Sequence, residues 1–438
     1  MARGQTTFLV RHLLAIALMA GAPVLVGLCA QLSNETSSDK PGRQETALNT
    51  RTAVSKVPAD SGVPSSPYPL TPRDCQCQAA TNSTIANLLD REREKPGHKQ
   101  GLYSRLKNHG SSGATALKQE ILTEAACEIR NQMASSALEA YFRLAETEGR
   151  SELAEKAVAV LADAVARGRQ LKAKGIKTPP ELDALERKEI DLKSDTAQLR
   201  LAQTRLQHDL KALLGSPANA PANLIRPVLD MDDYVAPGGS AAEVAKGLAT
   251  RPELRLWRTL GQSLDAASLP VAQAALQTVN PLAGGALDKG ARSSSAHLKA
   301  MLEMCKGQTD AETVRQQILA YQSEREEQIA SDIRRDVRLL AIQTDILILA
   351  RRRAGDNKRR VEELTERQAK GISSFAETAE AQLEWLKARG TVVEAAASLL
   401  IYKVKLRQDQ GLLAAECCPA CEASSPTAAG STPCTTAP

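Results

Sequence analysis

The sequence predicts an all-α fold of duplicated long antiparallel helical hairpins, with little or no β structure. Three observations support this prediction. The tetrapeptide Ala-Lys-Gly-Ile occurs at 173–176 and again at 369–372, and the same offset holds without a gap between 144–181 and 340–377. Only 3% of the residues are aromatic, and alanine and leucine dominate the apolar ones, which suits slender, closely packed helices. The repeat is far longer than a solenoid unit, so the chain contains two copies of one large module.

The first thirty residues predict an export signal. Two arginines precede an apolar run that ends at Ala30, which is the arrangement of a secretory signal peptide over 1–30. An uncleaved membrane anchor is the alternative, because the run is close to the shortest length that spans a bilayer. Cys29 follows Val-Gly-Leu and resembles the cysteine of a lipoprotein-processing box, although Leu28 is not the small residue expected there. Cys29 is therefore a candidate lipidation site.

Composition divides the rest of the chain. Residues 31–72 are rich in Ser, Thr, Pro and Asn without periodicity, and they predict a disordered tether. Two helical repeats at 73–215 and 240–413 are separated by a connector at 216–239 that is rich in Pro, Ala, Asn and Gly. Residues 414–438 form a Cys/Pro/Thr-rich tail, for which we predict disorder. The two repeats are the parts of the chain that we expect to fold.

The first repeat predicts a short helix, a rod and a return helix. The short helix covers 83–94, and the rod covers 114–174 with a length of about 90 Å. Gly175 is the glycine that commonly ends a helix. Residues 178–181, Thr-Pro-Pro-Glu, form a capping box that starts a return helix to Leu214. Leucines recur along this helix at every seventh position, which predicts packing against a partner helix.

The second repeat predicts four helices in the same style. A short helix covers 240–248, and a longer one covers 250–278. The second rod covers 309–370, again about 90 Å long, and the last return helix covers 374–413. Each of the last three begins with a Ser or Thr followed three residues later by Glu, which is the capping-box pattern. These first residues are Thr250, Thr309 and Ser374.

Nine cysteines in an exported chain permit disulfide bonds. They concentrate near the start of the folded part and in the tail. Cys418-Pro-Ala-Cys421 has the spacing of a redox or metal motif, but no strand-helix-strand context and no histidine at ligand spacing accompanies it. We therefore predict a disulfide or unpaired tail thiols here, rather than a redox or metal site.

Charge and motif content exclude several classes of function. The formal charge of +5 is small for 438 residues, and acids and bases are mixed along the helices, so binding to nucleic acid is not expected. The five histidines are scattered, and the sequence has neither a phosphate-binding glycine loop nor a nucleophile elbow. We expect a protein that is not an enzyme and that binds no cofactor.

The order of the motifs resembles that of the TolC family of outer-membrane efflux proteins. The resemblance rests on the duplicated hairpins and on a glycine followed six residues later by an acid at each hairpin tip. It rests also on Leu213-Leu214-Gly215 at the end of the first repeat, and on Arg-Pro-Glu-Leu at 251–254, which opens a helix after the connector. It covers most of residues 114–413.

The resemblance implies an outer-membrane channel. It would be a trimer whose helices form a hollow α-barrel across the periplasm. An inner-membrane pump and a periplasmic adaptor would deliver the substrate. The hairpin tips, marked by Gly175 and Gly371, would form the entrance, and the acids that match the family's pore constriction are Glu181, Glu377 and Glu380. A purely structural reading stands beside this, because Glu181 and Glu377 are also the third-position acids of capping boxes.

The sequence also departs from the family. Gln368 and Ser373 occupy the positions of the family's tyrosine and arginine tip partners. The gap at 96–113 has four glycines and one aromatic residue, and 280–308 lacks aromatic residues and alternation, so we expect membrane-spanning strands to be reduced or missing. A non-conducting coiled-coil scaffold of the periplasm is therefore the alternative function.

Overall fold

A computed structural model describes residues 70–94, 111–175, 182–216, 238–276 and 310–422. The chain divides into two units after Val63, and all the described residues belong to the second. Their helices are α1 (Pro72–Thr81), α2 (Thr84–Glu94), α3 (Ser111–Ala173), α4 (Leu182–Leu213), α5 (Ser240–Thr250), α6 (Pro252–Ser263), α7 (Ala311–Ala369), α8 (Phe375–Asp409) and α9 (Leu412–Ala415). Helical backbone also covers 269–276, and a 3-10 turn covers Pro419–Cys421. The described residues contain no strand, and the predicted all-α fold is confirmed.

Several predictions concern residues outside the described ranges. These are the signal peptide with Cys29, nearly all of the tether and the connector, the tip acid Glu181, and most of the two gaps at 96–113 and 280–308. Within the described residues, no helix has an apolar stretch long enough to cross a membrane.

Helix α1 precedes the first helix that the sequence predicts. Thr71 starts it with a capping box, because its hydroxyl accepts from Asp74 N and the Asp74 carboxylate accepts from Thr71 N, both at 3.1 Å. Pro72 takes the first helical position. Cys75 and Ala79 on this helix are fully buried in a cluster with residues of α3. A packed helix is therefore present at Pro72–Thr81, where the sequence predicts a tether up to 72 and a helix only from 83.

The two rods agree with prediction to within a few residues. Helix α3 has 63 residues and α7 has 59, which correspond to about 95 Å and about 90 Å. The predicted start of the second rod is wrong by one residue. Asp310, rather than Thr309, caps α7, and its carboxylate accepts from Glu312 N at 3.2 Å. The N-cap of α7 is therefore the aspartate that follows the predicted Thr309.

The four long helices pack in the order α4, α3, α8, α7. Helices α3 and α8 lie side by side, α4 packs along α3, and α7 packs along α8. The predicted leucine seam of α4 contributes to this packing, since Leu210 is fully buried and Leu192 and Leu206 are partly buried against neighbouring helices. Helices α4 and α7 are left at the two edges of the layer.

Short helices cover the half of each rod that is far from its glycine turn. Helix α5 packs on α7, and α6 packs on both rods. Trp257 on α6 is fully buried, and its ring centroid lies 4.6 Å from that of Tyr321 on α7. The surrounding cluster includes Leu117 of α3 and Val314 of α7. This cluster fixes the distance between the two rods at the end opposite to their tips.

The predicted helix over 250–278 is broken in two. Helix α6 ends at Ser263, and the Asp265 carboxylate then accepts from Ala267 N at 3.0 Å and from Ser268 N at 2.7 Å. This short turn competes with a continuous helix. The predicted capping box at Thr250 is also wrong, because the Thr250 hydroxyl donates to Gln410 O at 2.6 Å and offers the start of α6 no cap.

The C-terminal segment is folded further than the sequence predicts. Helix α8 ends at Asp409, Gly411 has a φ of 71°, and α9 follows it. Disulfides between described residues tie the segment to the body, Cys77 to Cys417 and Cys127 to Cys421. The predicted tail begins at 414, but packing and disulfides hold the described part of it, up to residue 422. Cys421 forms a structural disulfide, which is one of the two states that the sequence predicts for this cysteine.

Candidate functional site at the hairpin tips

Each rod ends in a glycine with left-handed backbone. Gly175 has a φ of 73° and Gly371 a φ of 72°, and both are exposed. Gly371 N donates to Gln368 O and Ile372 N donates to Arg367 O, both at 2.9 Å, which is the Schellman pattern of a helix end. Left-handed backbone costs a residue with a Cβ about 1–2 kcal/mol, so glycine is the residue that suits these turns.

The two hairpin tips lie side by side. Leu182 and Leu185 in the first turns of α4 share a buried cluster with Ala376 and Ala379 in the first turns of α8. Lys188 on α4 also donates to the Glu380 carboxylate on α8, with Nζ 2.8 Å from Oε1. The duplicated motifs at 175 and 371 therefore belong to one end of the layer.

Glu377 caps α8. Its backbone N donates to the Ser374 hydroxyl at 3.1 Å, and its Oε2 accepts from Ser374 N at 3.1 Å. This is the capping box that the sequence predicts. The Glu377 side chain is nevertheless exposed, so its charge faces solvent at the tip. Glu380 is exposed as well, and Lys188 neutralises part of its charge.

A groove of about 560 Å³ runs along the tip end between α4, α7 and α8. It carries charges of both signs, since Arg360 and Arg367 of α7 face Glu377, Glu380 and Glu384 of α8. Ser373, which stands where the family has a tip partner, donates to Leu364 O at 3.4 Å and to Ser374 O at 3.5 Å. The turn is therefore closed by local contacts, and no long-range side-chain bond of Ser373 occurs among the described residues.

Helix α7 carries an exposed basic run at 351–353 and 358–360. Arg359 and Lys358 pair with acids of the same helix, Asp356 and Glu362. Arg351, Arg352, Arg353 and Arg360 form no ion pair with a described residue. The free guanidinium groups lie on the edge helix α7, close to its tip end.

A buried ionic cluster at the start of α6 is the main feature that the sequence analysis does not predict. Arg251 and Glu253, from the Arg-Pro-Glu-Leu motif, are 5% and 8% exposed. Arg325 of α7 binds both oxygens of Glu253, and Arg251 lies 3.6 Å from the Asp409 carboxylate at the end of α8. The carboxyl of Asp336 on α7 lies beside that of Asp409. The motif therefore links α6 to both helices of the second hairpin.

Burial perturbs the acids of this cluster. Desolvation raises the pKa of Asp409 to about 7; the positive charge of Arg251 opposes this shift, and the carboxyl of Asp336 adds to it. Desolvation also raises the pKa of Glu128 on α3, where Gln132 donates to Oε1 at 2.8 Å. Glu128 Oε2 has no hydrogen-bond partner among the described residues. The carboxyl groups of Asp409 and Glu128 thus both lie close to the guanidinium group of Arg251.

No protein-family profile and no curated protein matches the sequence. CusC, whose structures concern transmembrane channel formation, aligns with a TM-score of 0.54 and 13% identity over 78% of this chain and 92% of CusC. The open-state MtrE outer-membrane channel of Neisseria gonorrhoeae gives 0.52 and 14% over 78% and 89%. The outer-membrane channel OprN gives 0.50 and 14% over 68% and 70%.

These structures belong to the family that the sequence motifs resemble. At such low identity they establish the fold, which includes the duplicated hairpins, the paired tips and the covering short helices. The described part of this chain therefore has the fold of the TolC family of outer-membrane efflux channels.

Proposed function

We propose that this protein is a TolC-like channel component of the cell envelope. Copies of the chain would form an oligomeric helical conduit, which passes substrates received from an inner-membrane pump and a periplasmic adaptor. The observation that carries the proposal is the pair of edge helices, α4 and α7, each with an exposed face, in a layer whose two tips lie together. A layer with two open edges can close into a ring when each copy joins its α4 edge to the α7 edge of the next.

The edges carry the apolar residues that such a contact needs. Leu201 on α4 is 53% exposed and Leu349 on α7 is 63% exposed. Leu201 lies 19 residues after Leu182, the start of α4, and Leu349 lies 20 residues before Ala369, the end of α7. Both are therefore about 30 Å from the tip end of their helices. Contact at equal height would bury both residues and supports a closed homo-oligomer, for which the family resemblance implies three copies.

The disulfides support an envelope location. Cys77–Cys417 and Cys127–Cys421 are the kind of cross-link that persists in oxidising compartments such as the bacterial periplasm. The outer membrane is the location of the similar channels, MtrE and OprN. We assign the chain to the outer membrane or the periplasm, with no nucleic-acid partner and no catalytic activity.

At the tip end we assign a role in ion selection to the acids that match the family's constriction. Glu377, Glu380 and Glu181 would face the lumen of the assembled ring, where repeated carboxylates favour cations. Capping of α8 and pore lining are compatible roles for Glu377, because the bond to Ser374 N uses only one of its two oxygens. The groove between α4, α7 and α8 is the surface that we assign to the periplasmic adaptor.

A scaffold without a pore is the second candidate. Residues 96–113 and 280–308 lack the sequence pattern of membrane-spanning strands, and this favours the scaffold. Conductance in planar lipid bilayers, combined with the mass of the purified oligomer, separates the two functions. A trimer with discrete single-channel conductance is the expected result. A defined oligomer without conductance would support the scaffold, and a monomer without conductance would overturn the channel.

A further inference from the structure

A pocket of about 420 Å³ lies far from the tips, between α1, α3, α8 and the segment after Gly411. Lys403 on its wall lies 28 residues along α8 from Phe375, which places the pocket about 40 Å from the tip end. This volume falls in the range of pockets that bind small molecules. The ligand to be sought is therefore a small molecule.

The floor of the pocket is apolar. Leu138 and Phe142 of α3 and Leu400 and Val404 of α8 form it, and the ring of Pro72 closes one side. Four of these residues also belong to or pack on the central hydrophobic cluster, so the floor is held by the core of the protein. An unbranched alkyl chain is the kind of group that such a floor accepts.

The rim of the pocket is cationic. Arg73, Lys403 and Arg407 face Glu416 as the single acid of the lining. Glu416 is already engaged, because it pairs with Arg407 and accepts from Gln76 Nε2 at 3.0 Å. Neither Arg73 nor Lys403 forms an ion pair with a described residue. The rim therefore has two positive charges with no partner inside the folded part.

Burial acts on the third cation. Desolvation lowers the pKa of Arg407, which also pairs with Glu416. An anionic group at the rim would reduce this cost and would reach Arg73 and Lys403 as well. Long cationic side chains that bury their stems and keep their charged ends at the surface suit the head group of an amphiphile.

The pocket is held in shape by a covalent bond. The Cys77–Cys417 disulfide joins α1 to the segment that carries Glu416, and Gln76 Nε2 donates to Leu413 O at 2.8 Å beside it. The wall made by Arg73 and the wall made by Glu416 are thus fixed relative to each other. A preformed site loses less entropy when a ligand binds.

We propose that this pocket binds a single-chain amphiphilic anion, with a medium-length alkyl chain on the floor and a carboxylate between Arg73, Lys403 and Arg407. The site is independent of the proposed conduit, because none of these residues belongs to the tips or to the free faces of α4 and α7. A carboxylate that meets two unpaired cations gains charge-assisted hydrogen bonds that a neutral head group cannot make.

Calorimetric titration of the purified full chain with decanoate, below its micelle concentration, tests the proposal. We expect one decanoate per chain, binding about tenfold weaker for decanol and no detectable binding of acetate. Equal affinities for decanoate and decanol would overturn the anionic part of the proposal. Binding of acetate as tight as that of decanoate would overturn the role of the apolar floor.

Substitution of the rim supplies the second arm. The double variant Arg73→Gln/Lys403→Gln should bind decanoate at least about tenfold more weakly, because both unpaired charges are lost. Lys405→Gln is the matched control, since Lys405 is exposed on the same helix and does not line the pocket. It should bind within about twofold of the original protein. Both proteins should unfold at unchanged temperature, and equal losses of affinity in the two would overturn the site.

Discussion

Arg325 of α7 holds both carboxylate oxygens of Glu253, with Nε 2.7 Å from Oε1 and Nη2 3.1 Å from Oε2. Both residues are buried, and they join the short helix α6 to the second rod. A planar guanidinium that meets a carboxylate in this paired geometry is a strong and directional contact. The pair explains why an Arg-Pro-Glu-Leu sequence opens α6 in this fold.

Loss of one member of this pair should destabilise the protein. Glu253→Gln leaves the Arg325 charge buried without its carboxylate, and we expect a loss of about 3–5 kcal/mol in the free energy of unfolding. Glu380→Gln removes the exposed pair with Lys188 and serves as the control, with an expected loss below about 1 kcal/mol. Urea unfolding measures both, and losses of similar size would contradict the assignment of Glu253 to a buried pair.

Stability should also depend on pH through Asp409. Its pKa is raised to about 7 by burial, against the effect of Arg251 and together with that of Asp336. The folded state therefore keeps a proton that the unfolded state releases near pH 4, and the stabilisation falls as the pH rises towards 7 and above. Asp332 and Arg335 of α7 lie beside this site and belong to the same charge balance.

The variant Asp409→Asn isolates this effect. Asparagine has the same shape and does not ionise, so the variant should lose the part of the pH dependence that belongs to Asp409. The difference in Tm between variant and original should grow in favour of the variant from about pH 4 to about pH 7 and then level off. A difference that stays constant from pH 5 to pH 9 would show that Asp409 does not titrate in this range.

Three glycine substitutions separate backbone strain from steric crowding. Gly355→Ala lies inside α7 with open space around it, and helix propensity predicts a gain of about 0.5–1 kcal/mol. Gly371→Ala has the same open space but a φ of 72°, and should cost about 1–2 kcal/mol. Gly411→Ala combines a φ of 71° with a Cβ only 2.8 Å from Arg251 Cα, and should cost most. Thermal unfolding should rank them in this order, and any other order would contradict the account of the two turns.

Glu377→Gln separates capping from selectivity at the tip. Glutamine at the third position of a capping box still accepts from the Ser374 backbone, so the helix content by circular dichroism should not change. The charge at the tip is lost, and the cation preference of the reconstituted channel should fall. Glu377→Ala is the comparison, because it removes both the acceptor and the charge. An unchanged selectivity in Glu377→Gln would leave capping as the function of this residue.

The proposed contact between copies can be tested with two variants that block opposite edges. Leu201→Glu blocks the α4 edge and Leu349→Glu blocks the α7 edge, and each alone should be monomeric. When mixed, they keep one intact pair of edges between them and should form a dimer and nothing larger. Leu88→Glu on α2, also exposed, is the control and should assemble normally. Trimers from either single variant, measured by light scattering, would contradict the edge assignment.

Local sequence signals predict the rods and the second tip well. Gly371 and the pair Ser374 with Glu377 act within one turn of helix, and the structure has the turn and the capping box where the sequence predicts them. The same signal at Thr71 with Asp74 marks α1, and the composition of the preceding segment hides it. Helix boundaries set by neighbouring residues are therefore readable from the sequence alone.

Predictions fail where a distant partner decides the outcome. Thr250 and Glu253 have the pattern of a capping box, but Gln410 O takes the hydroxyl and Arg325 takes the carboxylate. The order of the C-terminal segment depends on Cys77, which lies 340 residues before its partner. Neither pairing is encoded in local spacing. Arg73 and Lys403 likewise come together at the pocket only through the fold, so in the sequence they look like ordinary surface residues.

The cross-links Cys77–Cys417 and Cys127–Cys421 join the beginning of the described part of the chain to its end. Cys77 and Cys417 lie 340 residues apart and Cys127 and Cys421 lie 294 residues apart, so the two loops overlap between Cys127 and Cys417. A single protease cut at any peptide bond between Cys127 and Cys417 would leave two pieces still fastened to each other at both bridges. Such a nicked molecule would keep its rods aligned, and only cleavage followed by a reductant would let the halves part.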